Sequence, residues 1–451
     1  MPDPIIKIES LDMEARGVGH LTNEDGSPGK VIFVEGALPG ETVSFSSFRR
    51  KSKWEAAHMT ALHRESSLRV KPKCPYFGVC GGCAMQHIEP SAQVAAKQRV
   101  LEDNLVHIGR VRPEMVLRPI LGPTWEYRFR ARLSIRLVVK KGGILVGFHE
   151  KKSGFITDMQ SCEVVPRNVS AMLPLLRKLI ESLAQPEKFP QIELAVGDSE
   201  GRRTTVFVLR NMVPLTSGDE EKLVAFADLH QVQWWLQPAG PDSAFAFYPA
   251  VSTLHYLLPE FGIEMPFKPT DFTQVNHQIN RVLVSKALRM LDPQPHERIA
   301  DLFCGLGNFT LPLATKSRQV VGIEGSASLT NRAAENAHHN GLSGKTAFHT
   351  RDLFALTAQD LIELGKFDRF LIDPPRDGAV AVCEALVALK GLRPEMRPRR
   401  IIYVSCSPST LARDAGTLVN QAGYVLRQAG VINMFPHTAH VESIALFDLV
   451  E

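Results

Sequence analysis

The turn Ser405-Cys406-Ser407-Pro408 follows the apolar run RIIYVS, and it offers the first residue of this chain with covalent chemistry to do. The run reads as a parallel strand, and open parallel sheets bind ligands beyond the C-terminal ends of their strands. A buried free cysteine is usually a small core residue. Cys406 instead lies past the apolar run, near the strand end that carries Asp373-Pro374-Pro375. Further on, in MFPHTAHVES, Glu442 precedes a last apolar strand, IALFDL. A thiol can act as a nucleophile and a carboxylate can take a proton, so the two suit an addition followed by an elimination. His437 and His440 form an alternative metal pair, but no third ligand accompanies them.

A second cluster lies upstream. Cys74-x5-Cys80-x2-Cys83 places three thiols on a tight loop with Gly78, Gly81 and Gly82, and Cys162 in MQSCEVVP is the natural fourth. Four cysteines hold either tetrahedral zinc or an iron–sulfur cluster, and spacing alone decides neither. The N-terminus, MPDPIIKIESLDME, lacks the basic start and apolar core of a signal peptide. No apolar run reaches the ~18–20 residues of a membrane-spanning helix. The expected compartment is the cytoplasm, where the seven cysteines would stay out of disulfides. Cys304, inside a glycine turn, and Cys383, in the helical run AVAVCEALVALK, read as packing residues. The pair His338-His339 reads as surface.

The elements that must position these groups differ along the chain. Its 451 residues are a prior for two to four domains. Residues 1–60 alternate apolar and polar positions between Gly and Pro turns, which suggests a small β-barrel. Its segment Ser46–Lys53 reads as a basic loop. Helical spacing runs over 92–108. In YRFRARLSIRL, Arg128, Arg130, Arg132 and Arg136 share one face at period two, opposite Phe129, Ala131, Leu133, Ile135 and Leu137. Such a face fits a polyanion, although 52 Lys+Arg against 48 Asp+Glu is too even a balance to imply nucleic acid by itself.

From about residue 270 apolar strands alternate with helices, the rhythm of a doubly wound sheet. RIADLFCGLGNF is a strand, a glycine turn and a helix start, without the third glycine of the dinucleotide fingerprint. Glu324 ends the next strand, where a carboxylate can take both ribose hydroxyls. Asp352 follows a third strand and is placed to meet an adenine edge. These are the ordered parts of an S-adenosylmethionine-dependent methyltransferase sheet. A nucleophilic cysteine and a carboxylate beside a methyl donor suggest attack on uracil. C5 of uracil is a poor nucleophile until a thiolate adds at C6, and a base must then remove the C5 proton.

The motifs CGLGNF, DPPR, SCSP and FPHTAHVE, with DFTQVN at 271–276, resemble those of the RNA (uracil-5-)-methyltransferases over essentially the whole chain. The resemblance implies a multidomain protein: an N-terminal OB-type β-barrel (a TRAM domain) at 1–65, and a central α+β iron–sulfur and RNA-binding domain at 66–89 with 126–270. A C-terminal Rossmann-like methyltransferase domain would take 271–451 with 90–125. It implies S-adenosylmethionine contacts at Gln274, Phe303, Asn308, Glu324, Asp352 and Asp373, the nucleophile at Cys406 and the general base at Glu442. It also favours a 4Fe-4S cluster on Cys74, Cys80, Cys83 and Cys162. Cluster and barrel together are similar to the members that methylate 23S rRNA, with no obligate protein partner. The alternatives are a tRNA uracil-5 enzyme, an RNA cytosine-5 enzyme, and a catalytically silent iron–sulfur RNA-binding factor. Arg376 stands where the cytosine enzymes carry a second cysteine. The target base is expected to be flipped out of its stack.

Overall fold

The computed structural model describes residues 3–23, 25–199 and 202–450. The chain forms two compact units. The first comprises Met1–Val100, His149–Thr157 and Phe435–His440, and the second comprises the rest.

The first unit opens with strands β1 (Ile5–Lys7), β2 (Ser10–Leu11), β3 (Gly17–Thr22), β4 (Pro28–Glu35), β5 (Thr42–Arg50) and β6 (Trp54–Arg64). Their order is β1-β5-β6-β4-β3-β2. The two halves of segment 5–11 pair with opposite ends of the strand order, β1 with β5 and β2 with β3, so the sheet curls into a barrel. Alternation fills the interior with Ile6, Ile8, Ile32, Val34, Val43, Phe45 and Ala57. The segment expected as a basic loop is a hairpin: β5 runs through Arg50 and β6 resumes at Trp54. Exposed Phe48 stacks on His58 at 4.4 Å, and Arg49 lies over Trp54, so aromatic contacts extend the strands.

The second unit contains the two-residue strand β7 (Met115–Val116) and two larger sheets. The first sheet holds β8 (Arg130–Val138), β9 (Gly143–Gly147), β10 (Gln191–Ser199), β11 (Arg202–Arg210), β12 (Val232–Gln237), β13 (Phe245–Tyr248), β14 (Leu254–Leu258) and β15 (Ile263–Phe267). The second holds β16 (Arg298–Leu302), β17 (Gln319–Glu324), β18 (Thr346–Thr350), β19 (Arg369–Ile372), β20 (Arg400–Ser405), β21 (Tyr424–Ile432) and β22 (Glu442–Leu449), with β7 at its edge. Its order is β18-β17-β16-β19-β20-β22-β21-β7. The strands from β18 to β20 are parallel, and β22 runs against β20. Strand order reverses between β16 and β19, which opens a ligand crevice at their C-terminal ends. The central parallel strands β16, β17, β19 and β20 are mostly apolar and buried because helices cover both faces, whereas the edge strand β18 is polar and partly exposed.

Candidate active site

Main-chain register brings the nucleophile and the carboxylate together. In the β20–β22 ladder Arg400 faces Asp448 and Ser405 faces Ser443. One step further along the same register sets Cys406 opposite Glu442. The first residue of an antiparallel strand thus meets the first residue past a parallel one. Asp373, one residue beyond β19, joins them on the same edge. The Cys406 thiol is pushed up to about 11, first by burial and then by the negative charges of Glu442 and Asp373; Arg376 pulls the other way. Burial raises Asp373 to about 7. At neutral pH the cysteine therefore rests as a thiol.

The glycine turn after β16 is held from several sides. Phe303 adopts φ +65°, a left-handed backbone that costs a side-chain-bearing residue of order 1 kcal/mol or more and clusters at functional sites. Its N–H donates to Ile323 O at 2.9 Å. Gly307 has φ +91°, and a Cβ there would lie 2.5 Å from Leu311 Cδ1, so the position requires glycine. The Glu324 carboxylate accepts from the N–H groups of Gly305 and Ser326, each at 3.2 Å. Asp352 accepts from Phe354 N–H at 2.9 Å, and the Phe354 ring meets the Phe303 ring edge-on at 5.7 Å. Gln274 is half-buried on the segment before helix His277–Leu291.

Asn308 is the most constrained of the expected cofactor residues. Its Oδ1 accepts from Tyr256 Oη at 2.9 Å and from Asn280 Nδ2 at 2.8 Å, while its Nδ2 donates to Asn280 Oδ1 at 3.0 Å. Burial raises the Tyr256 hydroxyl, which keeps it a donor. By the amide's inventory one Asn308 N–H remains for another acceptor. Neither Tyr256 nor Asn280 was legible in the sequence as a site residue. They come from β14 and from helix His277–Leu291, and only tertiary contact makes them partners.

Asp301 was also missed. It is fully buried in β16, where Thr310 Oγ1 donates to its Oδ2 at 2.5 Å. Desolvation raises its carboxyl to about 8, and Asp373 and Glu324 add to the shift. The available signal was an acid inside the apolar run RIADLF.

The arginine face fares less uniformly. Phe129, Ala131, Leu133 and Ile135 are buried as the alternation requires, but Leu137 is exposed. Arg130 is spent on main chain: its guanidinium donates to Asp271 O and to Pro269 O. Arg132 pairs with Glu193 of β10 at 2.9 Å. The acid missing along the strand is thus supplied across it, and Arg130 is withdrawn from any polyanion surface.

The cysteine loop lies in the first unit, with Cys74, Cys80 and Cys83 half-buried. Backbone N–H groups of Phe77 and Cys80 bond back to Cys74 and Tyr76, and Gly82 N–H donates to Cys80 Sγ at 3.4 Å. Cys162 is buried in the second unit, its N–H donating to Ser170 Oγ at 2.9 Å. Among the described residues, no three His, Cys, Asp or Glu side chains are gathered into a metal-holding group. His437 has a structural place in the first unit: its backbone O accepts from Ala84 and Met85, and its N–H donates to Gln93 Oε1 at 2.9 Å. Cys304 and Cys383 are buried, and His338 and His339 are exposed, as expected.

The strand order, the reversed strand and the glycine turn define the class: a Rossmann-like methyltransferase of the S-adenosylmethionine-dependent kind. The family described as tRNA (Uracil-5-)-methyltransferase matches residues 262–449. The 23S rRNA (uracil(1939)-C(5))-methyltransferase RlmD of Cupriavidus pinatubonensis is 63% identical over 446 residues, covering 99% of this chain and 96% of that protein. The RlmD of Ralstonia pickettii is 61% identical over 446 residues, covering 98% of each. The chain belongs to this RlmD family of 23S rRNA (uracil-C5)-methyltransferases. Among solved structures, the Pyrococcus abyssi tRNA (uracil-54, C5)-methyltransferase in complex with S-adenosyl-L-homocysteine shares the fold. It aligns at TM-score 0.71 and 22% identity, covering 98% of this chain and 100% of that one.

Proposed function

We propose that this chain transfers a methyl group from S-adenosylmethionine to C5 of a uridine in 23S rRNA. The observation that carries the reading is the register that sets Cys406 opposite Glu442 on the ligand edge of a methyltransferase sheet. Cys406 gives its proton to water and its thiolate adds to C6, so that the ring electrons gather at C5 and its neighbouring carbonyl. S-adenosylmethionine supplies the electrophilic methyl group that C5 takes. Glu442 then removes the C5 proton; the electron pair re-forms the C5–C6 bond and expels the Cys406 sulfur. Arg376 favours the thiolate, against the burial and the carboxylates of Glu442 and Asp373 that oppose it.

Gln274, Phe303, Asn308, Glu324, Asp352 and Asp373 hold the methyl donor in this reading, Glu324 at the ribose and Asp352 at the adenine. The barrel at 1–65 acts as a TRAM-type RNA-binding domain. Residues 66–89 with 126–270 form the central RNA-binding part, and 90–125 with 271–451 the catalytic part. No helix among the described residues is long and apolar enough to cross a membrane, and an rRNA substrate suits a cytoplasmic enzyme. The test is incubation with labelled S-adenosylmethionine and unmodified 23S rRNA, followed by nucleoside analysis. The expected product is 5-methyluridine. 5-Methylcytidine would favour the cytosine reading, and no label in RNA would favour a silent binding factor.

If Asn308 positions the donor, the side chains that fix it matter to donor binding alone. Asn280→Ala should raise the KM for S-adenosylmethionine about tenfold, the scale of one lost buried hydrogen bond. The KM for RNA and kcat at saturating donor should stay within about twofold of wild type. Initial rates against each substrate decide this, and an unchanged donor KM would remove Asn280 from the site.

The thiols of Cys74, Cys80, Cys83 and Cys162 are soft donors of the kind that iron–sulfur clusters take. The Gly82 N–H bond to Cys80 Sγ is the kind of contact that stabilises a ligating thiolate. When bound, the cluster would order the loop that carries three of its ligands. Protein purified without oxygen should carry iron and acid-labile sulfide with a brown absorbance. Colourless protein with stoichiometric zinc would overturn the assignment.

A further inference from the structure

We infer that the second unit carries an additional nucleotide-holding pocket for its RNA substrate, built on the helix His277–Leu291 and separate from the residues that face Cys406. The inference rests on the RNA-methyltransferase reading. The cavity, about 410 Å³, is walled by Arg118, Glu260, Phe261, Val282, Lys286 and Arg289 among others, none of them a candidate catalytic or cofactor residue.

Its shape is fixed by backbone. Val282, Lys286 and Arg289 follow one another at helical spacing and so share a face. Arg118 sits between two rungs that tie its segment to β21: Leu117 N–H donates to Ala429 O at 2.8 Å, and Ile120 N–H to Val431 O at 3.0 Å. Glu260 and Phe261 lie on the short turn after β14.

The charges do not cancel. Glu260 is taken up by the Ser285 hydroxyl first and then by Arg289 at 3.2 Å, which together hold its carboxyl below the ordinary range. Arg281, also on the wall, donates to Leu257 O at 2.9 Å and lies 3.6 Å from Asp198. Arg118 and Lys286 have no acidic partner among the described residues. Two uncompensated cations thus meet beside a half-buried ring and the exposed Val282. Phosphate on the cations and a base against the apolar wall is how single-stranded RNA is commonly held. A small apolar wall beside an excess of positive charge suits a nucleotide better than a protein or a lipid surface.

The experiment measures binding of the full-length protein to a 23S rRNA fragment against salt concentration, with methylation assayed in parallel. In Arg118→Ala/Lys286→Ala the slope of log K against log salt should fall by one to two units, roughly 0.7–0.9 per lost phosphate. The kcat at saturating RNA and the KM for S-adenosylmethionine should remain those of wild type. Phe261→Ala should weaken binding severalfold with the slope unchanged. Wild-type slope and affinity in the double variant, with a wild-type melting curve, would overturn the pocket, as would unaltered affinity in Phe261→Ala. Failure of wild-type protein to methylate the RNA would instead count against the underlying reading.

Discussion

Glu442→Gln should accumulate as a covalent protein–RNA complex that already carries the transferred methyl group. The glutamine keeps the size of the side chain and its place at the start of β22, because the ladder with β20 is made by main chain. It cannot accept the C5 proton, so Cys406 has no route off C6. Attack and methyl transfer precede that step and should survive. Turnover should fall by a factor of about 10²–10⁴, the usual worth of a positioned base. A denaturing gel with target RNA and S-adenosylmethionine should show a slow band, and digestion should release a methylated nucleotide attached to Cys406. Cys406→Ala, alone or with Glu442→Gln, should give neither band nor product. Wild-type turnover in Glu442→Gln without a trapped complex would assign the base elsewhere, with Asp373 next in line.

The second large effect concerns the resting thiol. Only the thiolate is alkylated, and with Cys406 pushed up to about 11 its labelling by iodoacetamide should climb about tenfold per pH unit from pH 7 toward that value. The sign follows from the causes. Negative neighbours oppose the thiolate, so removing one lowers the thiol's pKa and speeds labelling at fixed pH. Glu442→Gln should therefore label on the order of tenfold faster at pH 8 for each unit of pKa released. Arg376→Ala removes a favourable charge and should label more slowly. Peptide mapping by mass spectrometry separates Cys406 from the other cysteines. A wild-type rate that levels off below pH 9 would contradict the carboxylate-crowded site.

Most of the active-site residues legible in the sequence share one property: they stand at or near strand ends, with Gln274 and Asn308 the exceptions. Phe303, Glu324, Asp373 and Cys406 each stand at or just past an apolar run, Asp352 follows the polar edge strand β18, and a parallel sheet collects such positions on one edge. Glu442 was legible because it begins the last apolar run, although its meeting with Cys406 needed the reversal of β22. What the sequence concealed depends on distant chain. Arg130 reads as a surface cation until the carbonyls of Pro269 and Asp271 claim it. Arg132 lacks an acid along its own strand but finds Glu193 on the next. Asp301 hides because alternation says nothing of a carboxyl that desolvation keeps protonated. Tyr256 and Asn280 become partners of Asn308 only when two elements converge.

The reversed strand also determines how the enzyme can tolerate length changes. Six main-chain pairs join β20 to β22, and side chains alternate faces along both. A residue deleted within β22 would shift the frame by one, exchange its two faces, both of which are buried, and put Val441 or Ser443 where the base belongs. The connection from Asn433 to Val441 lies outside that ladder, and its stretch Phe435–His440 belongs to the first unit. A residue inserted there would disturb the bonds that hold His437 to Ala84, Met85 and Gln93, but it would leave the frame of the ladder unchanged. The spacing between nucleophile and base is thus indexed by the sheet, as teeth index a ratchet, and not by the length of the loop that leads to it.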